Sequence, residues 1–283
     1  MTTEDVFVQY LYESYFFTIF IKPKRLIIKH MRNNVFLLIL LFVAISCGEQ
    51  SPSVALESTT GGRNQITKSV SQKEYSFPEI DWGQFETHFQ KVEACTIPDS
   101  ILCRLSTRGL VDACVNYPLL FDAFAYSSPV IGLKALYRQF NGLRELNGRT
   151  DKVSATFEFI ESVDLREVDF YSLDEVQVGY IMLRYIMCEY LLSSCLEVGD
   201  VAKDDAINIA KFSKAVLEFK EMNPHWFSGF DISASLYLLV ASVKCTHCSL
   251  SGQSEDFLKS GLLHKPEDYI AIKDEVLVIL ATS

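Results

Sequence analysis

The chain has 283 residues, of which 49% are hydrophobic and 22% are charged, and its formal net charge is −10. A chain of this length can form one large domain or two small ones, each with its own hydrophobic core. The acidic balance argues against nucleic-acid binding and against electrostatic attraction to an anionic membrane surface.

Residues 31–48, with the sequence MRNNVFLLILLFVAISCG, follow the order of a secretory signal. A basic residue, Arg32, precedes the apolar run 35–45, which is followed by the small residue Ser46 and then by Cys47. This order of charge, apolar run and small residue before a cleavage site is typical of signal peptides. The segment resembles the lipobox of bacterial lipoproteins, with Ala44 where Leu is common. The resemblance implies that Cys47 receives a lipid and becomes the mature N-terminus, which would anchor the protein in the cell envelope, facing the periplasm or the surface.

This resemblance divides the chain into four segments. We expect residues 1–30 to be an upstream extension absent from the natural product, and residues 31–46 to be the signal peptide. Residues 47–75 would be the lipidated Cys47 and a flexible tether, and residues 76–283 a helical domain. A membrane-spanning anchor and a buried core segment are alternative interpretations of the apolar run. Because a helix needs roughly 20 residues to span a bilayer, the shorter run favours a signal peptide.

The tether is predicted from its composition. Residues 48–72 are rich in Ser, Thr, Gly and Gln and contain few large apolar side chains. Such a segment cannot bury enough apolar surface to order itself. A flexible chain of this length spans roughly 25–30 Å on average, which is enough to separate a domain from a membrane.

From about residue 77 onward the sequence predicts helices. Pro98 predicts a helix that runs to about residue 105, and Ser106 and Thr107 are candidate caps for the next helix. Ser128 and Pro129 predict the start of another helix, which Asn141-Gly142 is expected to end. Later apolar residues recur at steps of three and four, which is the spacing of one helix face, and they are Ile209, Phe212, Val216 and Phe219, then Tyr269, Ile272, Val276 and Ile279.

Two segments are apolar nearly all round. Residues 177–198 contain only Arg184, Glu189 and Glu197 as charged residues, and residues 232–243 contain none. A helix that is apolar on every side belongs in the centre of a helical protein. We therefore predict an all-α domain, either a multi-helix bundle or stacked helical hairpins around these two central helices.

The most specific local motif in the sequence is a pair of cysteines. Cys245 and Cys248 form a C-x-x-C pair with His247 between them. Such a pair can be a redox dithiol, half of a zinc site, a disulfide, or two packed thiols. No second cysteine pair follows to complete a zinc site, and the motif ends an apolar helix, where the helix dipole raises the thiol pKa. This context favours a disulfide or packed thiols over redox or metal chemistry.

Other candidate sites are weaker. Glu158 and Glu161 lie one turn apart, as paired carboxylates or as ordinary surface acids, and Arg184 can bind an anion or pair with a carboxylate. The aromatic residues between 121 and 126 would suit a peptide or glycan partner if they are exposed, and would be ordinary core if they are buried. No assembled catalytic constellation, metal motif or cofactor motif is present in the sequence.

Residues 105–118 (LSTRGLVDACVNYP), together with Phe140-Asn-Gly142 and Glu145-Leu146, resemble a pattern found in uncharacterised secreted or lipid-anchored bacterial proteins. The resemblance carries no catalytic or binding residue. We therefore expect a non-enzymatic, lipid-anchored interaction or scaffolding module of the cell envelope, with a protein or glycan partner. The alternatives are an envelope enzyme whose site is assembled from residues distant in sequence, and a thiol-redox factor that uses Cys245 and Cys248.

Overall fold

The computed structural model describes residues 74–283, which form α-helices and short 3₁₀-helices and contain no β-strand. The α-helices are α1 (His88–Ala94), α2 (Asp99–Leu102), α3 (Thr107–Val115), α4 (Pro129–Gln139), α5 (Asn141–Gly148), α6 (Lys152–Ser162), α7 (Glu175–Val198), α8 (Lys203–Met222), α9 (Gly229–Lys244), α10 (Gly252–Ser260) and α11 (Pro266–Thr282). The 3₁₀-helices are Trp82–Gln84, Leu120–Ala125, Leu165–Glu167 and Phe170–Ser172. The predicted all-α class is confirmed.

The first described residues already contact the helical domain. Glu74 accepts a hydrogen bond from the backbone N–H of Ser106 at 2.9 Å, and the ring of Tyr75 packs edge-on against Phe77 with 5.1 Å between the ring centroids. The domain therefore includes these two residues, which the sequence had placed at the end of the tether. The predictions for residues 1–30 and 31–46, and for the tether up to residue 73, lie outside the described residues.

Serine caps begin two helices where the sequence placed them. Ser106 Oγ accepts from the backbone N–H of Gly109 at 3.0 Å, and Ser128 Oγ accepts from that of Ile131 at 3.3 Å. Pro129 occupies the first turn of α4. Each serine satisfies one of the N–H groups that the first turn of a helix leaves without an intrahelical acceptor.

Helix α4 ends at Gln139, next to the predicted position, but Asn141-Gly142 does not cap it, because both residues lie in the first turn of α5. The buried side chain of Asn141 accepts from Ile97 N at 3.1 Å and donates to Ile97 O at 2.7 Å. A Cβ atom on Gly142 would come within 2.5 Å of the ring of Phe140. The two residues are therefore needed for tertiary packing, and that requirement overrides their usual role in a turn.

The two apolar helices are central and parallel to each other. Ser235 of α9 contacts Glu189 of α7, and further along both helices Cys245 Sγ lies 3.7 Å from the carbonyl oxygen of Leu196. All residues of α9 from 231 to 243 are buried, which confirms the central position predicted for this segment.

Helix α8 runs antiparallel to these two. Near its C-terminus Lys220 reaches the backbone of Asp231 at the start of α9, and earlier in α8 Ser213 donates to the carbonyl oxygen of Ser235 at 2.9 Å. Helices α3 and α6 pack on the α7 side, whereas α10 and α11 pack on α9. Among the helices of residues 74–283, none combines the length and apolar content that crossing a bilayer requires.

A glycine fixes the position of the 3₁₀-helix Leu120–Ala125 against α4. A Cβ atom on Gly132 would come within 1.9 Å of the carbonyl oxygen of Ala123, so no larger residue fits there without movement of the backbone. The contact holds the aromatic residues of this 3₁₀-helix beside the central helices.

We expect Asn141→Ala to lower the free energy of unfolding by about 1–3 kcal/mol, because it leaves the buried backbone N–H and C=O of Ile97 without partners. Asn147→Ala, at an exposed position of the same helix, should change it by no more than about 0.5 kcal/mol. Urea denaturation measures both variants. Equal stability of the two would contradict the role assigned to Asn141.

Candidate functional site

Cys47, the predicted lipidation site, lies outside the described residues, whereas Cys245 and Cys248 directly follow α9. Thr246 Oγ1 donates to Cys248 Sγ at 3.2 Å, and His247 has a φ of 63°, in the left-handed region. All cysteines within residues 74–283 are free thiols. A disulfide or redox role for Cys245 and Cys248 stays a prediction.

Burial makes several of these thiols poor nucleophiles. It raises the pKa of Cys245, and it raises the pKa of Cys188 to about 12 and that of Cys195 to about 11. Because the thiolate is the reactive form, these side chains are largely unreactive near neutral pH. Cys188 and Cys195 are fully buried, as small hydrophobic residues are, whereas Cys245 is partly exposed.

The other sequence candidates do not converge on one site. Arg184 Nη2 lies 3.8 Å from Asp112 Oδ1, the carboxylate pairing considered for this residue. Glu158 and Glu161 are exposed on α6. Within residues 74–283, no three His, Cys, Asp or Glu side chains are grouped so that they could hold a metal ion.

A buried polar cluster joins the three central helices, and the sequence did not predict it. Lys220 Nζ of α8 donates to Glu189 Oε2 of α7 at 2.8 Å and to the backbone oxygen of Asp231 in α9 at 2.9 Å. Ser235 Oγ donates to the second carboxylate oxygen of Glu189. The side chains of Lys220 and Glu189 are each 1% exposed.

The pKa shifts in this cluster reflect its burial. Burial raises the pKa of Glu189, and the Lys220 ammonium group and the Ser235 hydroxyl oppose the rise by stabilising the carboxylate. Burial likewise raises the pKa of Asp231, whose carboxylate accepts from the backbone N–H of Ser228 at 2.8 Å. The ring of Tyr185 lies 5.2 Å from Lys220 Nζ.

The residue types in this cluster are typical of a catalytic site, but a substrate has no access to them. Its charged side chains are sealed among apolar helices, so a substrate cannot reach them without unfolding of the core. Replacing one member of a buried ion pair lowers the stability of a protein strongly, because the remaining charge then has no partner in an apolar environment. We therefore assign the cluster a structural role, which is to fix how α7, α8 and α9 pack.

The pocket between α4, α7 and α9 is too small to be an active site. It is lined by residues that include Lys134, Ser194 and Glu197, and its volume is about 10 Å³. That volume is enough for about one water molecule.

An aromatic surface lies at the end of the domain where α7 and α9 begin. We call it the aromatic end surface and define it as Phe121, Phe124, Tyr171, Tyr180, Trp226 and Phe230. Phe121 contacts Phe124 and Tyr180, each with 6.2 Å between ring centroids, and Phe124 contacts Phe230 at 5.5 Å. Tyr171 and Trp226 form a second group of rings and pack edge-on with 5.4 Å between their centroids.

These rings are only partly covered by the protein. Tyr171 is 86% exposed and Tyr180 is 47% exposed, whereas the other four rings of the surface are half-buried. Tyr126, which follows the 3₁₀-helix Leu120–Ala125, is also exposed. The sequence left open whether the aromatic residues between 121 and 126 are exposed or buried. Phe121 and Phe124 are half-buried against the core, and Tyr126 is exposed. Clustered exposed aromatic groups mark interaction sites more often than isolated ones do.

Comparison with known proteins found no family model, no curated protein and no solved structure that matches this chain.

The buried ion pair predicts non-additive effects of mutation. Lys220→Met and Glu189→Leu should each lower the free energy of unfolding by about 3–5 kcal/mol, and the double variant should lose less than the sum of the two, because no unpaired charge remains.

The matched control is the half-exposed pair of Lys214 and Glu218, which lies on the same helix α8 with 2.9 Å between its charged atoms. Lys214→Met and Glu218→Leu should show a coupling of about 0.5 kcal/mol or less. Additive losses for the buried pair would contradict the structural role of the cluster.

Proposed function

We propose that this protein is a lipid-anchored bacterial cell-envelope protein whose helical domain is a non-enzymatic interaction or scaffolding module. The lipobox-like order of residues 31–48 supports attachment through a lipid on Cys47. The polar composition of residues 48–72 supports a tether between membrane and domain. The resemblance of residues 105–118 to secreted or lipid-anchored bacterial proteins agrees with this location.

The observation that carries the binding role is the aromatic end surface. Tyr and Trp are the residues that most often dominate the binding energy of protein interfaces. Tyr171 and Tyr180 project from the domain, and each packs edge-on against a neighbouring ring, so a partner that covers them buries a large apolar ring surface. This is the property expected of a binding surface.

The enzyme and redox alternatives receive less support from the geometry. An enzyme site needs a cleft in which polar groups converge on a substrate. The pocket beside Lys134 and Glu197 holds about one water molecule, and the Lys220–Glu189 pair is sealed. A redox role needs a reactive thiolate, whereas burial raises the pKa of Cys245.

Lipidation predicts the behaviour of the N-terminus. The mature chain purified from bacterial membranes should begin at a diacylglycerol-modified Cys47 and partition into detergent, because two acyl chains anchor a protein stably. Cys47→Ser should remain unprocessed, and Cys103→Ser, at another free cysteine, should behave as the wild type. Mass spectrometry of the N-terminal peptide gives the result, and an unmodified Cys47 in the mature chain would contradict the proposal.

The interaction role predicts where partners touch the domain. A photo-crosslinking amino acid at position 171 of the full chain should form adducts of defined mass with envelope components in intact cells. The same amino acid at position 278, where Val278 is 65% exposed on α11, should form none. Gel electrophoresis and mass spectrometry detect the adducts. The absence of adducts at position 171, or the same adducts at both positions, would count against the interaction role.

A further inference from the structure

We propose that the aromatic end surface binds a cationic segment of another protein, one that combines Lys or Arg side chains with apolar anchors. This inference rests on the proposed interaction role and specifies its partner. Tyr171 lies within the acidic chain segment that leads into α7, and Tyr180 follows that segment on α7. Exposed apolar side chains alternate with the acids.

Negative charge is concentrated in this segment. Residues 161–175 contain one basic residue, Arg166, and the six acidic residues Glu161, Asp164, Glu167, Asp169, Asp174 and Glu175. These fifteen residues therefore carry a net charge of −5, which is half the net charge of the whole chain. Arg166 is paired with Asp164 and also attracts Glu167 electrostatically, so it offsets part of this negative charge.

The outer carboxylates lack cationic partners. Within residues 74–283, no Lys, Arg or His lies within ion-pair distance of Glu167, Asp169, Asp174 or Glu175. Some acids elsewhere have such partners, for example Glu197 with Lys134 at 3.4 Å and Glu255 with Lys244 at 2.6 Å. Asp169 and Asp174 accept hydrogen bonds from the backbone N–H groups of Tyr171 and Gln177, and both residues are exposed.

Apolar anchors alternate with these acids. Val163 and Tyr171 lie in the same segment, and Val176 and Tyr180 lie one turn apart on one face of α7. All of them are exposed. A partner that places apolar side chains on this surface brings any neighbouring Lys or Arg next to carboxylates, which provides both apolar burial and charge complementarity.

The same charges disfavour other occupants. An anionic lipid surface would be repelled by the segment. A second copy of this chain in a two-fold symmetric contact would place two acidic segments against each other, which is unfavourable. A neutral glycan could stack on the tyrosines and donate hydroxyl hydrogen bonds to the carboxylates, but it brings no positive charge to offset the net negative charge of the segment. The concentration of uncompensated charge therefore selects a cationic protein segment.

Titration of the lipidated full chain in detergent with two labelled peptides tests this inference. One is an 18-residue amphipathic peptide with Leu on one face and Lys on the other, and the second has Glu in place of every Lys. Fluorescence anisotropy should show binding of the Leu–Lys peptide, weakened by rising salt because exposed charges are screened within about 8 Å at physiological ionic strength. The Leu–Glu peptide should not bind.

Two variants and a matched control separate this surface from general acidity. Tyr171→Ala, at an exposed ring whose loss leaves the core intact, should weaken binding of the Leu–Lys peptide about tenfold, as expected for an interface anchor. Glu175→Lys in the first turn of α7 should weaken it by a similar factor. Asp204→Lys places the same change in the first turn of the antiparallel α8 and should leave binding unchanged.

Equal losses for Glu175→Lys and Asp204→Lys, or no loss for Tyr171→Ala, would overturn the inference, as would binding of the Leu–Glu peptide. Binding that does not respond to salt would point to a neutral partner and would also overturn it. If the peptide fails to bind while adducts still form at position 171, only the cationic partner is excluded and the interaction role stands. If both experiments fail, the proposed function fails with the inference.

Discussion

The buried ion pair between Lys220 and Glu189 is the contact on which the arrangement of the central helices depends. Lys220 of α8 reaches the side chain of Glu189 in α7 and the backbone of Asp231 in α9 at once. Rotating a helix by one residue turns its side chains by about 100°, so a slip of either helix would leave both charges in apolar surroundings. Two apolar helix faces tolerate such a shift of one helix along the other far better. We therefore infer that the ion pair selects a single register of the three helices.

That register determines what the domain presents to its surroundings. Because α7 and α9 are parallel, their first turns lie at the same end of the domain, next to the 3₁₀-helix Leu120–Ala125 and the turn that carries Trp226. Ring contacts from distant parts of the sequence join Phe121, Phe124, Tyr180 and Phe230, and a second contact joins Tyr171 to Trp226. The acidic residues before α7 lie on the same chain segment as Tyr171. The inaccessible polar cluster and the accessible aromatic surface are consequences of one packing arrangement.

Local sequence signals predicted the helices well. They did not predict the buried polar cluster or the exposed aromatic residues, because both depend on how the helices pack. Ser106 and Ser128 act on backbone groups three residues away, so their caps are visible in the sequence. The role of Asn141 is not visible in the sequence, because its hydrogen-bond partner, Ile97, is distant along the chain. A charged residue inside an apolar helix, such as Glu189, needs a buried partner, but that the partner is Lys220 depends on how the helices pack. The exposure of Tyr171 and Tyr180 likewise depends on which neighbours cover them.

Native-state hydrogen exchange tests the central claim most directly, since it reports the free energy of opening at each backbone amide. If the buried pair holds α7, α8 and α9 in one register, the amides around Glu189, Lys220 and Ser235 should exchange only through global unfolding and share the highest protection in the domain. Helices α10 and α11, which pack on the outside of α9, should open at lower free energy. Opening of α9 by itself, at a free energy below that of α10 and α11, would contradict the account.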